Sequence, residues 1–95
     1  MRAVESLEPA IDNKRFGMYL RRIREERKLS LAAVEKMSSG LPERVTKSHL
    51  SRLENGQASA SFARIYTLSV IYGIPVASLA ERFELCVNRR QPIVP

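Results

Sequence analysis

The ten residues from Thr46 to Asn55, TKSHLSRLEN, concentrate side chains able to hydrogen-bond outward. Leu50 and Leu53 lie three apart and share the inward side of a short helix, which leaves Thr46, Lys47, Ser48, His49, Ser51 and Arg52 for its outer and flanking faces. Lys and Arg donate to guanine O6 and N7, and Ser or His can donate or accept. A helix furnished in this way is suited to reading base edges in a DNA major groove, which is just wide enough to admit one.

Other chemistry is short of parts. The chain has one cysteine, Cys86, and one histidine, His49, so no zinc site can be built from Cys and His alone. Glu54 has no nucleophile or second carboxylate at a useful spacing, and its expected role is structural. No enzymatic activity, cofactor or metal is expected. Cys86, on the apolar face of a helix, reads as a small buried hydrophobe, and a lone thiol fits a reducing cytoplasm. His49 reads first as polar surface.

Charge points the same way. Sixteen Lys and Arg against ten Asp and Glu give +6 over 95 residues, a balance that favours a polyanionic partner, with nucleic acid ahead of a membrane surface. The first helix holds Lys14, Arg15, Arg21, Arg22, Arg24, Arg27 and Lys28 against Glu25 and Glu26, nearly the whole excess. Taken alone such a run is a solvated face; beside the Thr46 helix, Arg21 and Arg22 are expected to flank phosphate. Arg64 is balanced between a phosphate clamp and surface solubility. Apolar runs are far shorter than the roughly 20 residues that span a bilayer, and the acid-bearing start MRAVESLEPAID is no secretory signal. Attachment to a membrane surface would need Phe16 and Leu20, which the core requires.

The elements that must position these groups follow from periodicity and punctuation. Residues 1–12, with Pro9 and scattered acids, read as a flexible leader. From Asn13 to Lys28, Phe16, Leu20 and Ile23 form one helical stripe, capped by Asp12 or Asn13 and slightly weakened by Gly17. Ser30 caps a second helix, LAAVEKMS, with Val34 and Met37 inward and a left-handed Gly40 after it. SGLPERV, Ser39–Val45, is a loop. Thr46 caps the third helix and Gly56 ends it. Ser61 opens a fourth, with Phe62, Ile65, Leu68, Ser69 and Tyr72 on one face and Gly73 as its stop. Tyr66, Val70 and Ile71 fall partly off that stripe, and either meet a partner or are covered by a fifth helix or the tail at Ile93-Val94. Pro75 belongs to the first turn of a fifth helix, VASLAERFELCV, with Leu79 and Phe83 inward. The expected architecture is all-α, with one five-helix domain over residues 13–87 and a tail over 88–95.

Here LRRIREERKLS, HLSRLENG and SFARIYTLSVIYGIPVASL together resemble the phage repressor and Cro-type (XRE-family) helix-turn-helix DNA-binding domains, over about two-thirds of the chain. The resemblance implies a lambda-repressor-like fold and a partly buried ion pair between Arg24 and Glu54. It implies base contacts from Lys47, Ser48 and Arg52, and backbone contacts from Thr46, Asn55 and the connector after Gly56. Arg21 and His49 join the expected backbone set. Three departures stand out. The turn before the third helix is long, which tilts that helix or brings Arg44 against the sugar–phosphate backbone. Leu31 replaces a common phosphate-contacting Gln, and Glu35 replaces a common Ala and needs more open packing.

The function implied is a sequence-specific transcriptional regulator of repressor type, binding double-stranded DNA as a homodimer that pairs through helix five and the tail. The alternative is an antitoxin or a protein-interaction adaptor on the same fold, with a protein partner.

Overall fold

Three hydroxyl side chains decide where helices begin. Ser30 accepts the Ala33 N–H at 3.0 Å, Thr46 that of His49 at 3.1 Å, and Ser61 that of Arg64 at 3.2 Å, each satisfying one donor that a first helical turn leaves free. The computed structural model describes residues 2–87, with side chains for 13–86. They form α1 (Arg2–Glu26), α2 (Leu31–Ser38), α3 (Lys47–Glu54), α4 (Phe62–Tyr72) and α5 (Val76–Val87). No strand occurs among the described residues, and the fold is all-α. The tail, 88–95, lies outside them.

One core joins all five helices. Phe16, Leu20 and Ile23 of α1 meet Val34 of α2, Leu50 and Leu53 of α3, Ile65, Leu68 and Tyr72 of α4, and Leu79 of α5, with Cys86 also buried. Phe83 is half-buried and sets its ring edge-on against Phe16, 5.1 Å between centroids.

Several boundaries and faces differ from the sequence expectation. Helix α1 begins at Arg2 rather than near Asn13. Ala, Glu and Leu in RAVESLE and AID favour helix, and Pro9 removes only one backbone donor from a 25-residue element. Gly40 is not left-handed: Ser39 closes α2 in a right-handed conformation, and the left-handed glycines are Gly56 and Gly73. Met37 is about half exposed, and Ser38 takes the inward position instead. Its hydroxyl accepts the Val45 N–H at 2.9 Å and donates to the Glu35 carbonyl at 2.8 Å, so a buried polar group is satisfied in place of an apolar one. Phe62 is also exposed, since it opens α4 at its free end. Thr67 is buried in its stead, donating to the Glu43 carbonyl at 2.7 Å. Pro75 stands one residue ahead of α5, where its carbonyl accepts the Ser78 and Leu79 N–H groups.

Gly17 has a role that helix propensity hides. A Cβ there would strike the Leu53 carbonyl oxygen and come within 2.6 Å of that of Glu54, so its absence lets α1 close on the last turn of α3. In an unpacked helix Gly17→Ala would stabilise by about 1 kcal/mol. Here it should destabilise by about 1–3 kcal/mol through overpacking against backbone, read as a lowered melting temperature.

Candidate nucleic-acid interface

What holds α3 is as informative as what it displays. The Arg24 guanidinium reaches from α1 in a fork, its Nε 2.6 Å and its Nη2 3.0 Å from the two Glu54 oxygens. Its remaining nitrogen, Nη1, donates to the Leu29 carbonyl at 2.8 Å. Both side chains are largely withdrawn from solvent, at 12% and 5% exposure, so the pair is charge-assisted and poorly screened. The hydrogen bonds it donates to Glu54 hold the Arg24 guanidinium above its ordinary range, against the opposing effect of burial. Together with Gly17 and the buried Leu50 and Leu53, this fork fixes one end of α3 against α1.

The other end is held by Glu35. Its Oε1 accepts the Lys47 backbone N–H at 2.9 Å and its Oε2 receives Arg44 at 2.7 Å. A carboxylate from α2 therefore supplements Thr46 as a cap for α3 and favours the positive end of that helix dipole. The Lys47 N–H, with Arg44 behind it, holds the Glu35 carboxyl below the usual carboxylate range. At this position the glutamate is a tether across the long turn. Sequence reasoning saw it only as a misfit, because its partners lie 9 and 12 residues away, beyond any helical periodicity.

Lys47, Ser48 and Arg52 are exposed on α3, as are Thr46 at its start and Asn55 at its end. Lys47 and Arg52 form no salt bridge among the described residues, so both charges remain available to a polyanion. Ser51 is half-buried. His49 is half-buried too, and its Nε2 is covered without a hydrogen-bond partner among the described groups, so this nitrogen is not offered to a ligand. Burial first, then the charges of Arg64 and Arg52, hold the His49 imidazole below its ordinary range and favour the neutral ring.

The remaining arginines divide. Arg21 is exposed and pairs with Glu25 at 3.0 Å, and the exposed Arg44 is spent partly on Glu35. Arg64 leans 3.6 Å from Glu43 and is only one-third exposed, so it braces α4 against the turn instead of projecting freely. Arg22 does not share the α3 side of α1. At about 100° per residue it sits some 140° round from Gly17, which faces α3. Arg27, which the sequence offered only as charge, donates to the Tyr72 carbonyl at 2.9 Å and closes the end of α4.

No group of three or more His, Cys, Asp and Glu among the described residues could hold a metal ion, and none of their helices is long and apolar enough to cross a membrane. The arrangement, a short helix anchored at both ends with uncompensated cations outward, can bind a polyanion and hydrogen-bond in a groove. A family model described as a helix-turn-helix domain matches residues 15–82. No curated protein and no solved structure matches.

Two outcomes follow for the anchors. Glu54→Ala strands a mostly buried guanidinium and should lower stability by about 3 kcal/mol in urea unfolding. Glu35→Gln tests the tether by pH. A carboxyl held below its ordinary value contributes stability above about pH 4.5 and loses it as the pH falls through its lowered value. The melting temperature of the Gln variant should therefore lie below that of the parent at neutral pH, and the two should converge in acid.

Proposed function

The chain belongs to the helix-turn-helix domain family, and from that premise we propose that it is a sequence-specific, DNA-binding transcriptional regulator of phage repressor and Cro type. It acts as a repressor by occupying its operator. The single observation that carries the reading is α3 itself, fixed by Arg24–Glu54 behind and Glu35 at its start, with Lys47, Ser48 and Arg52 exposed in front. Lys47, Ser48 and Arg52 read base edges, while Thr46, Asn55 and Arg21 meet the sugar–phosphate backbone. Arg44 reaches phosphate by exchanging its contact with Glu35, and His49 plays a minor part at most.

One such helix spans few base pairs, so useful selectivity calls for a homodimer on a two-fold symmetric site. Phe62, Tyr66 and Val70, one turn apart and exposed on α4, supply uncharged surface for pairing. That surface suits the pairing better than the charged outer side of α5. The same three residues also favour a second reading, an antitoxin or adaptor that binds DNA and holds a protein partner on α4. Masses measured by light scattering with and without DNA separate the two, since a homodimer needs no second protein.

Selection of bound sequences from random duplexes, with affinity measured at two salt concentrations, tests the main reading. A palindromic motif with a steep salt slope is the expected result. Arg52→Ala should cost about 1–3 kcal/mol on the selected site and relax one base position, whereas Arg21→Ala should weaken all duplexes alike. An unchanged ratio of cognate to random binding for Arg52→Ala would remove Arg52 from base recognition.

A further inference from the structure

On the side of α1 away from α3, three arginines converge on a cleft of about 160 Å³. Arg15 and Arg22 come from α1 and Arg82 from α5, with Met18 and Tyr19 beside them and no acid among the described residues of the lining. We propose that this α1–α5 face is a docking surface for an acidic, amphipathic segment of a partner protein.

The charge is arranged for carboxylates. None of the three arginines makes a salt bridge among the described residues. The Arg82 guanidinium lies 4.5 Å from the centroid of the Tyr19 ring, which holds its plane in place and leaves its in-plane N–H donors for a bidentate acceptor. Arginine fixed in this way favours a planar carboxylate, and the entropy of ordering it is already spent.

Apolar surface runs beside the charge. Met18 and Leu85 are 60% and 59% exposed, and a second, shallower cleft of about 390 Å³ adjoins the first, sharing Tyr19 and Arg82 and reaching Leu85. Glu81 is the one acid among the described residues of its lining, so the positive charge there is concentrated toward α1. Basic and apolar groups alternating along two helices match a segment with carboxylates and an apolar side chain in like register.

Geometry separates this face from the α3 surface. Gly17 and Arg24 turn α1 toward α3. At about 100° per residue, Arg15, Tyr19 and Arg22 point some 140–160° away from Gly17, so a duplex seated on α3 lies across the helix from them. A second copy is disfavoured as occupant because a symmetric contact would set like charges against one another. The surface does not depend on α3 binding DNA.

The test uses a fluorescent peptide of about 15 Glu, Leu and Ala residues, its leucines on one face of a helix of roughly 22 Å. Polarisation should show binding that the double variant Arg15→Glu, Arg22→Glu weakens at least about tenfold, whereas the control pair Lys28→Glu, Lys36→Glu, an equal change of charge at exposed sites elsewhere, leaves it intact. A Glu-only peptide should bind more weakly, and saturating duplex DNA should not displace the probe. Melting curves confirm that both variants are folded. Binding equally reduced by the control pair, displacement by duplex, or no binding by the folded parent chain would each overturn the proposal. So would self-association of the parent that the double variant abolishes.

Discussion

The contact between α1 and the end of α3 governs everything outward of it. It combines a steric condition, that the residue at 17 carry no side chain, with an electrostatic one, the Arg24 fork on Glu54. Removing two charges from water offsets most of what their attraction returns, so the pair is weak ground for net stability. Its effect is directional. Two parallel hydrogen bonds and a third to the Leu29 carbonyl allow one orientation of the guanidinium, and with it one placement of the last turn of α3. Gly17 brings the backbones close enough for that geometry to close. Either condition without the other would leave α3 free to rock on Leu50 and Leu53.

Restraint at one end would not aim an eight-residue helix, and the chain supplies a second restraint from an unrelated direction. Glu35 reaches from α2 to the first N–H of α3, while Ser38 and Thr67 secure Val45 and Glu43 of the intervening turn. The result separates the basic surface into two fields. Lys47 and Arg52 stand on α3, and Arg15, Arg22 and Arg82 stand behind α1. Between them the cations are consumed internally: Arg24 by Glu54, Arg27 by the Tyr72 carbonyl, Arg64 by Glu43. Among the described residues, the arginines without an ion pair, Arg15, Arg22, Arg52 and Arg82, therefore all stand on one or other of these two faces.

Most of this frame could be read from local chemistry. Cap residues at Ser30, Thr46 and Ser61, glycine stops at Gly56 and Gly73, and leucines three apart on α3 all act within one or two turns, and short-range pattern is what a sequence displays. The family match over residues 15–82 supports the helix-turn-helix reading that those patterns suggested. What escaped is long-range. Gly17 looked like a weak point because its benefit lies in the backbone of α3, and Glu35 looked misplaced because its partners lie across a loop. Met37 and Phe62 have the hydrophobicity of inward positions, yet both are exposed. Ser38 and Thr67 hold the interior positions because each finds a backbone group of the turn to bond, which no hydropathy scale registers. The start of α1 is hidden for the opposite reason: the helix formers around Pro9 outweigh the one proline that reads as a break.

Because Glu35 and the buried Val45 carry the alignment of the two helices, the peptide between them is released from that duty. Gly40 faces open space, with nothing within 4 Å of where a Cβ would stand. Doubling a flexible connector adds only about 0.6 kcal/mol of closure entropy. The segment around Gly40 is thus slack in the chain, a place where a foreign epitope or a fluorophore-bearing peptide could be spliced in while the helices on either side keep their mutual pose.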